Sequence, residues 1–173
     1  MTENVLAAYE RDIDERIGGL EPINTTGHEV KSYEVKAGNV YQDQNVSVEA
    51  FRVNHGTWEA FGYRFYVPDR TIVISGDTAP FEGYVEAYRD CDVLIHEVYS
   101  AEGFQGRSAD WQRYHSSVHT SSYELAEMAS RTRPELLVLY HQLFFGVSER
   151  ELLSEVRSGY GGKVVSGNDL EVY

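Results

Sequence analysis

At 173 residues with 42% hydrophobic content, the chain has room for one globular domain and is short for a two-domain enzyme. Fifteen Lys and Arg against 28 Asp and Glu leave a net charge of −13, which argues against a nucleic-acid backbone as partner, because phosphate binding rests on clustered basic side chains. The lone Cys91 excludes an internal disulfide framework and a cysteine zinc cluster, so any metal falls to His, Asp and Glu.

The amino-terminal stretch MTENVLAAYERDIDERIGGLEP carries charges throughout and no apolar run, which speaks against a signal peptide or spanning helix and for a cytoplasmic setting. Leu6, Tyr9, Ile13 and Ile17 recur at helical spacing, predicting a helix over 5–17 stopped by Gly18-Gly19. Alternating patterns predict strands over 28–35 and 45–53, and a hairpin of strands 60–67 and 71–75 turning at Pro68-Asp69-Arg70. The pattern then changes to helix 82–90, strand 92–97, helix 121–131, strand 135–141, helix 148–160, and terminal strands over 163–166 and 170–173. Strands alternating with helices imply an α/β fold with a partly parallel sheet. No repeat, linker or domain boundary interrupts residues 1–173.

His55, Asp77, His119 and His141 stand at or beyond the ends of predicted elements, where α/β proteins place reactive groups. Taken singly, Asp77 reads equally as a helix N-cap or turn former, and His141 as an ordinary strand-end histidine. His96 lies inside an apolar strand and reads as a hydrogen-bonded core residue, and His28 as exposed. Trp58, Phe61, Phe104, Trp111, Phe144 and Phe145 are candidates for a pocket wall, with core packing the plainer account.

The ordered set RVNHGTWEAFGYRF, TIVISGDT, DVLIHE, HTSS and LVLYH resembles the metallo-β-lactamase superfamily, most closely its ribonuclease Z-like branch. The resemblance runs over essentially the whole chain and implies the carboxyl-terminal half of an αββα sandwich, a mixed sheet with outer helices. It implies a hydrolase in which His55 binds a first zinc, Asp77 bridges two, and His141 binds the second, with a hydroxide between them attacking the substrate. Glu97 and His119 resemble the family's non-ligand pair, in which the acid orients a histidine that contacts the substrate and protonates the leaving oxygen. His115 is a rival for that histidine's role.

The family's His-x-His-x-Asp-His motif does not occur in the chain. With His55, Asp77 and His141 alone, each Zn2+ would keep two protein ligands, below the three usual at catalytic zinc. Metal binding by this chain alone is therefore expected to be partial or weak. The same absence leads to the expectation of one partial domain over 1–173, an apolar sheet face awaiting a partner, and either a homodimer or a complementing amino-terminal fragment. The alternative class is a non-catalytic remnant or half-molecule that needs a partner segment. Only FYVPDRTIVI separates the Gly-Tyr-Arg strand from Ser-Gly-Asp-Thr, leaving no room for the arm of transfer-RNA-processing members. With the charge, this points away from transfer RNA and toward a small-molecule ester, a phosphodiester or sulfate ester.

Overall fold

The computed structural model describes residues 2–20 and 24–173. They fall into two compact units, Met1–Val35 and Lys36–Tyr173.

In the first unit, helices α1 (Thr2–Ala8) and α2 (Glu10–Ile17) replace the single helix expected over 5–17. The break is at Tyr9, whose φ of −104° and ψ of 6° lie outside the helical range. Gly18 caps α2, with its N–H bonded to the Asp14 and Arg16 carbonyls. The strand expected over 28–35 does not form. HEVKSYEV alternates as a strand should, but Val30 and Tyr33 are 56% and 79% exposed, so the alternation meets no buried face and no paired ladder among the described residues.

The second unit is built on one seven-stranded sheet: β1 (Gly38–Gln42), β2 (Ser47–His55), β3 (Trp58–Val67), β4 (Arg70–Ile74), β5 (Val93–Tyr99), β6 (Leu136–Leu143) and β7 (Val164–Ser166). The strands lie in chain order across the sheet. The pairs from β1 to β4 are antiparallel, and those from β4 to β7 are parallel. The hairpin expected at 68–70 is present, with Val67 paired to Arg70. β1 was not anticipated; it is a short edge strand whose Val40 is its only aliphatic residue. Conversely, the expected strand over 170–173 is absent, because Leu170 turns at φ +67° and Leu170 and Val172 are fully exposed.

Parallel strands need crossovers, and the crossover segments carry the helices. They are α3 (Tyr84–Tyr88), α4 (Ala101–Phe104), α5 (Ala109–Ser116), α6 (Ser122–Thr132) and α7 (Glu149–Gly159). Both α6 and α7 begin in a full capping box, Ser121 with Glu124 and Ser148 with Glu151, which satisfies the first free N–H groups at each end. Their apolar faces, Leu125, Met128, Leu152 and Val156, close with Tyr88 over Val73, Leu94, Val98, Leu137 and Leu139. These five sheet residues share one face by strand alternation. The opposite face carries Ile72, Ile74, Val93, Ile95, Leu136, Val138 and Val165 in register, most of them half-buried. The expected mixed sheet with helices on it is therefore the architecture of this unit.

Candidate metal centre

The strand ends of β2, β4, β5 and β6 open at one edge of the sheet, and the chemistry-bearing residues stand there. His55 is the last residue of β2, and its Nδ1 lies 2.9 Å from the Val118 carbonyl. A carbonyl only accepts, so Nδ1 carries the proton and Nε2 keeps a free lone pair. Asp77 follows β4 after Ser75-Gly76, and Gly76 takes φ +65°, a conformation open to glycine at no steric cost. A Cβ on Gly76 would also lie 2.9 Å from the Phe61 carbonyl oxygen.

His141 sits in β6 at φ +44°, where the β5 ladder slips so that Glu97 faces Tyr140 and Val98 faces Gln142. This is a β-bulge with His141 as the extra, unpaired residue. Regular alternation would turn residue 141 to the helix-covered face with Leu137 and Leu139. The bulge gives that place to Gln142 instead, and His141 stays exposed at the sheet edge.

His119 is nine-tenths buried just before α6. Its Nδ1 lies 3.1 Å from Glu97 Oε1, so Nε2 is the atom it offers to the open side. The same Glu97 oxygen accepts the backbone N–H groups of Thr78 at 3.0 Å and Thr120 at 3.1 Å. One carboxylate oxygen thus fixes the residue after Asp77 and both His119 and its successor. Oε2 of Glu97 is buried with no protein partner. Burial pushes the Glu97 carboxyl up, against the pull of His119, Thr78 and Thr120. Burial would push His119 down, but the hydrogen bond and charge of Glu97 outweigh it and hold the imidazole above its ordinary value. Three donors converging on one oxygen favour the ionised carboxylate with Nδ1–H of His119 pointing at it.

The ligand atoms offered by Asp77, His119 and His141 lie within 4.8 Å of one another. His141 Nε2 is 3.7 Å from Asp77 Oδ2. That is close to the roughly 3.4 Å between two donors on a tetrahedral zinc with bonds of ~2.0–2.1 Å. A carboxylate and an imidazole are donors that suit zinc, so Asp77 and His141 could share an ion, with His119 Nε2 beside them on the open side. These residues therefore fit the metal that the sequence resemblance implies.

His55 falls outside this group, although its ring centroid is 5.4 Å from that of His119. His119 stands inside it, where the sequence led to an expectation of His55. His96 is fully buried in β5, and its Nδ1–H donates to the Glu97 carbonyl at 2.6 Å while the Tyr88 hydroxyl reaches Nε2 at 3.2 Å. It is a satisfied core residue, and burial pushes its pKa down to about 4. His115, the rival of His119, stacks on the His119 ring at 5.4 Å, with Nδ1 buried and without a partner. Burial and the neighbouring His119 and Arg107 hold it below its usual value. His28 is half-buried in the first unit.

One supporting residue escaped the sequence altogether. Glu155, on α7 and 7% exposed, accepts the hydroxyls of Ser100 at 2.6 Å and Ser122 at 2.5 Å and the Ala101 N–H at 2.8 Å. It ties the end of β5 to the start of α6, the two segments that carry Glu97 and His119. Its partners are 33 to 55 positions away, a separation that leaves no local pattern.

Comparison with known proteins fits this geometry. A ribonuclease Z of Haloarcula marismortui is 32% identical over 103 residues, covering 59% of this chain and 31% of that protein. A ribonuclease Z of Mycobacterium tuberculosis H37Rv is 27% identical over 177 residues, covering 98% of this chain and 63% of that protein. The chain thus spans less than two thirds of the length of either relative. The metallo-β-lactamase fold protein YhfI of Bacillus subtilis superposes with a TM-score of 0.64 at 19% identity, over 77% of this chain and 50% of that one, which establishes a shared fold. The profile of the family described as "Beta-lactamase superfamily domain" matches residues 7–142, well over half of the sequence. The chain belongs to that family.

Proposed function

We propose that the chain is a zinc-dependent hydrolase acting on small esters in the cytoplasm, with phosphodiesters the favoured class and sulfate esters the next. The observation that carries this reading is the convergence of Asp77, His119 and His141 at one sheet edge, with Glu97 buried behind His119. The relatives named ribonuclease Z support a phosphodiester. The net charge of −13 and the tight β3–β4 turn support a small substrate over transfer RNA.

Asp77 and His141 would hold the metal, and His55 presents its free Nε2 from the neighbouring strand end. When bound, zinc supplies Lewis acidity and lowers the pKa of a water molecule toward neutrality. Asp77 also offsets cationic charge at the site. His119, held toward imidazolium by Glu97, binds an anionic substrate oxygen through Nε2 and delivers a proton to the leaving oxygen. Glu97 keeps the ring in that tautomer and orientation.

A second reading, in which activity needs a partner segment or a second copy, is favoured by the apolar second face of the sheet around Ile72, Ile95 and Val138. The deciding experiment is zinc per chain by elemental analysis after chelation and reloading, with Asp77→Ala as control and bis(p-nitrophenyl) phosphate as test substrate. Bound zinc and turnover, both lost in the variant, are expected. Zinc content and turnover indifferent to Asp77 would overturn the assignment.

A further inference from the structure

Helix α5 breaks the rule that a surface helix buries one stripe, since none of its residues is buried. It is tethered through Gln112, whose Nε2 donates to the carbonyls of Arg107 at 2.9 Å and Gln105 at 3.1 Å. Its two large aromatics, Trp111 and Tyr114, are 55% and 56% exposed and, with Asp110, line an open cavity of about 370 Å³.

These rings are not isolated. Trp111 stacks on His115 with centroids 5.1 Å apart and planes at 18°, His115 stacks on His119 at 5.4 Å, and His119 on His141 at 5.5 Å. A continuous column of four rings therefore runs from the candidate metal ligands to an exposed tryptophan. Phe145 meets His115 edge-on at 5.1 Å, and the Arg107 guanidinium lies 4.7 Å over the Phe145 ring. Among the described residues no carboxylate forms a salt bridge with Arg107, so its guanidinium is available to an anion.

Single exposed aromatics are ordinary on protein surfaces. Two adjacent ones in ring contact with a reactive centre, beside an unpaired arginine, form a recognition surface for a flat group joined to an anion. We infer that α5 is a substrate platform: the ester carries a planar aromatic group, which stacks on Trp111 against Tyr114 while Arg107 faces the anionic oxygens. The inference rests on the hydrolase reading of the Asp77–His119–His141 group and adds the class of substituent that this site selects.

The shared chemistry is a planar ring next to a phosphoryl group, whether a simple aryl or a nucleobase. The chain has two tryptophans, and Trp58 is 81% exposed on β3 outside the platform. A Trp58→Phe protein therefore leaves Trp111 as its own reporter. Titration with phenylphosphonate, adenosine 5′-monophosphate and methylphosphonate, read by Trp111 fluorescence and by calorimetry, tests the inference without turnover. One or both ring-bearing ligands should bind roughly tenfold more tightly than methylphosphonate, the size of one aromatic stack. Which of the two binds identifies the source of the ring.

Adding Trp111→Leu should remove that advantage and leave methylphosphonate affinity unchanged. Equal affinities for all three ligands would overturn the platform while leaving an anion-binding hydrolase site in place. Binding by none of them would also overturn it, and the zinc measurement above decides separately on the hydrolase reading. A fall in apparent mass of the Trp111→Leu protein in sedimentation would assign the patch to a second copy instead, and would equally overturn the inference.

Discussion

Glu97 Oε1 and His119 Nδ1 stand 3.1 Å apart, with the carboxylate fully buried and the imidazole 7% exposed. The acid approaches from beneath, out of β5, while the histidine arrives from the loop before α6. Glu97→Gln keeps the acceptor for Thr78 and Thr120 but removes the charge that favours imidazolium. Turnover of a test phosphodiester is expected to fall ~10- to 100-fold with an unchanged circular dichroism spectrum, the scale seen when a supporting carboxylate is neutralised.

His119→Asn separates acid from ligand. Zinc per chain should be retained, because Asp77, His141 and His55 remain, whereas turnover should drop on the order of 10²- to 10⁴-fold. Loss of zinc from this variant would make His119 a ligand and move the acid role elsewhere.

Fully buried His96 is held neutral, with a pKa pushed down to about 4 against an ordinary 6.5. The unfolded chain binds a proton at this position below pH 6.5, and the folded protein does not until about pH 4. Its contribution to stability is therefore complete above pH 6.5 and is lost as the pH falls toward 4, with a ceiling of about 3 kcal/mol. Urea unfolding at pH 7.5 and pH 5 should show this slope, and His96→Gln should flatten it.

Glu155→Ala leaves the Ser100 and Ser122 hydroxyls and the Ala101 N–H without their acceptor in a buried setting. A loss of roughly 2–4 kcal/mol is expected in urea unfolding. Zinc affinity should weaken as well, since the ends of β5 and α6 then lose their common anchor.

Cys91 is buried at 3% exposure, and burial lifts its thiol to about 11. Native protein at pH 8 should resist 5,5′-dithiobis(2-nitrobenzoate) and react at once in urea, so the labelling rate under native conditions measures opening of the core. Immediate native labelling would contradict the packing around Tyr88 and Leu94.

Much of the second unit was legible because its signals are local. β4, β5 and β6 are continuous apolar runs, while α6 and α7 pair an apolar stripe with a Ser-x-x-Glu opening, so their limits were placed within two residues. β1 was missed because an edge strand needs only one partner and little apolar surface. The stretch 28–35 was overread because alternation is necessary for a half-buried strand without being sufficient. At the site, the order of the motifs singled out His55, Asp77, Glu97, His119 and His141; packing brings Asp77, His119 and His141 into one group and leaves His55 outside it. Local pattern held no trace of the roles of Glu155 or of the Thr78 and Thr120 amides, and it offered Trp111 as a pocket-wall candidate without its stacking on His115. Those contacts join segments far apart in the chain, and only packing brings them together. The bulge at His141 was equally hidden, since ELLVLYH reads as a regular strand that ends there, whereas β6 continues to Leu143.

Strand order has a consequence for how the site comes into being. Because β1 to β7 lie across the sheet in chain order, each of the first four strands can pair with its neighbour through a short turn, whereas β5, β6 and β7 must wait for crossovers to close. His55 and Asp77 belong to the early, hairpin-built part, and His119 and His141 to the late, parallel part. The ligands can meet only when the slower half has docked, so zinc capture should be among the last events of folding. In a stopped-flow experiment it would mark completion of the sheet.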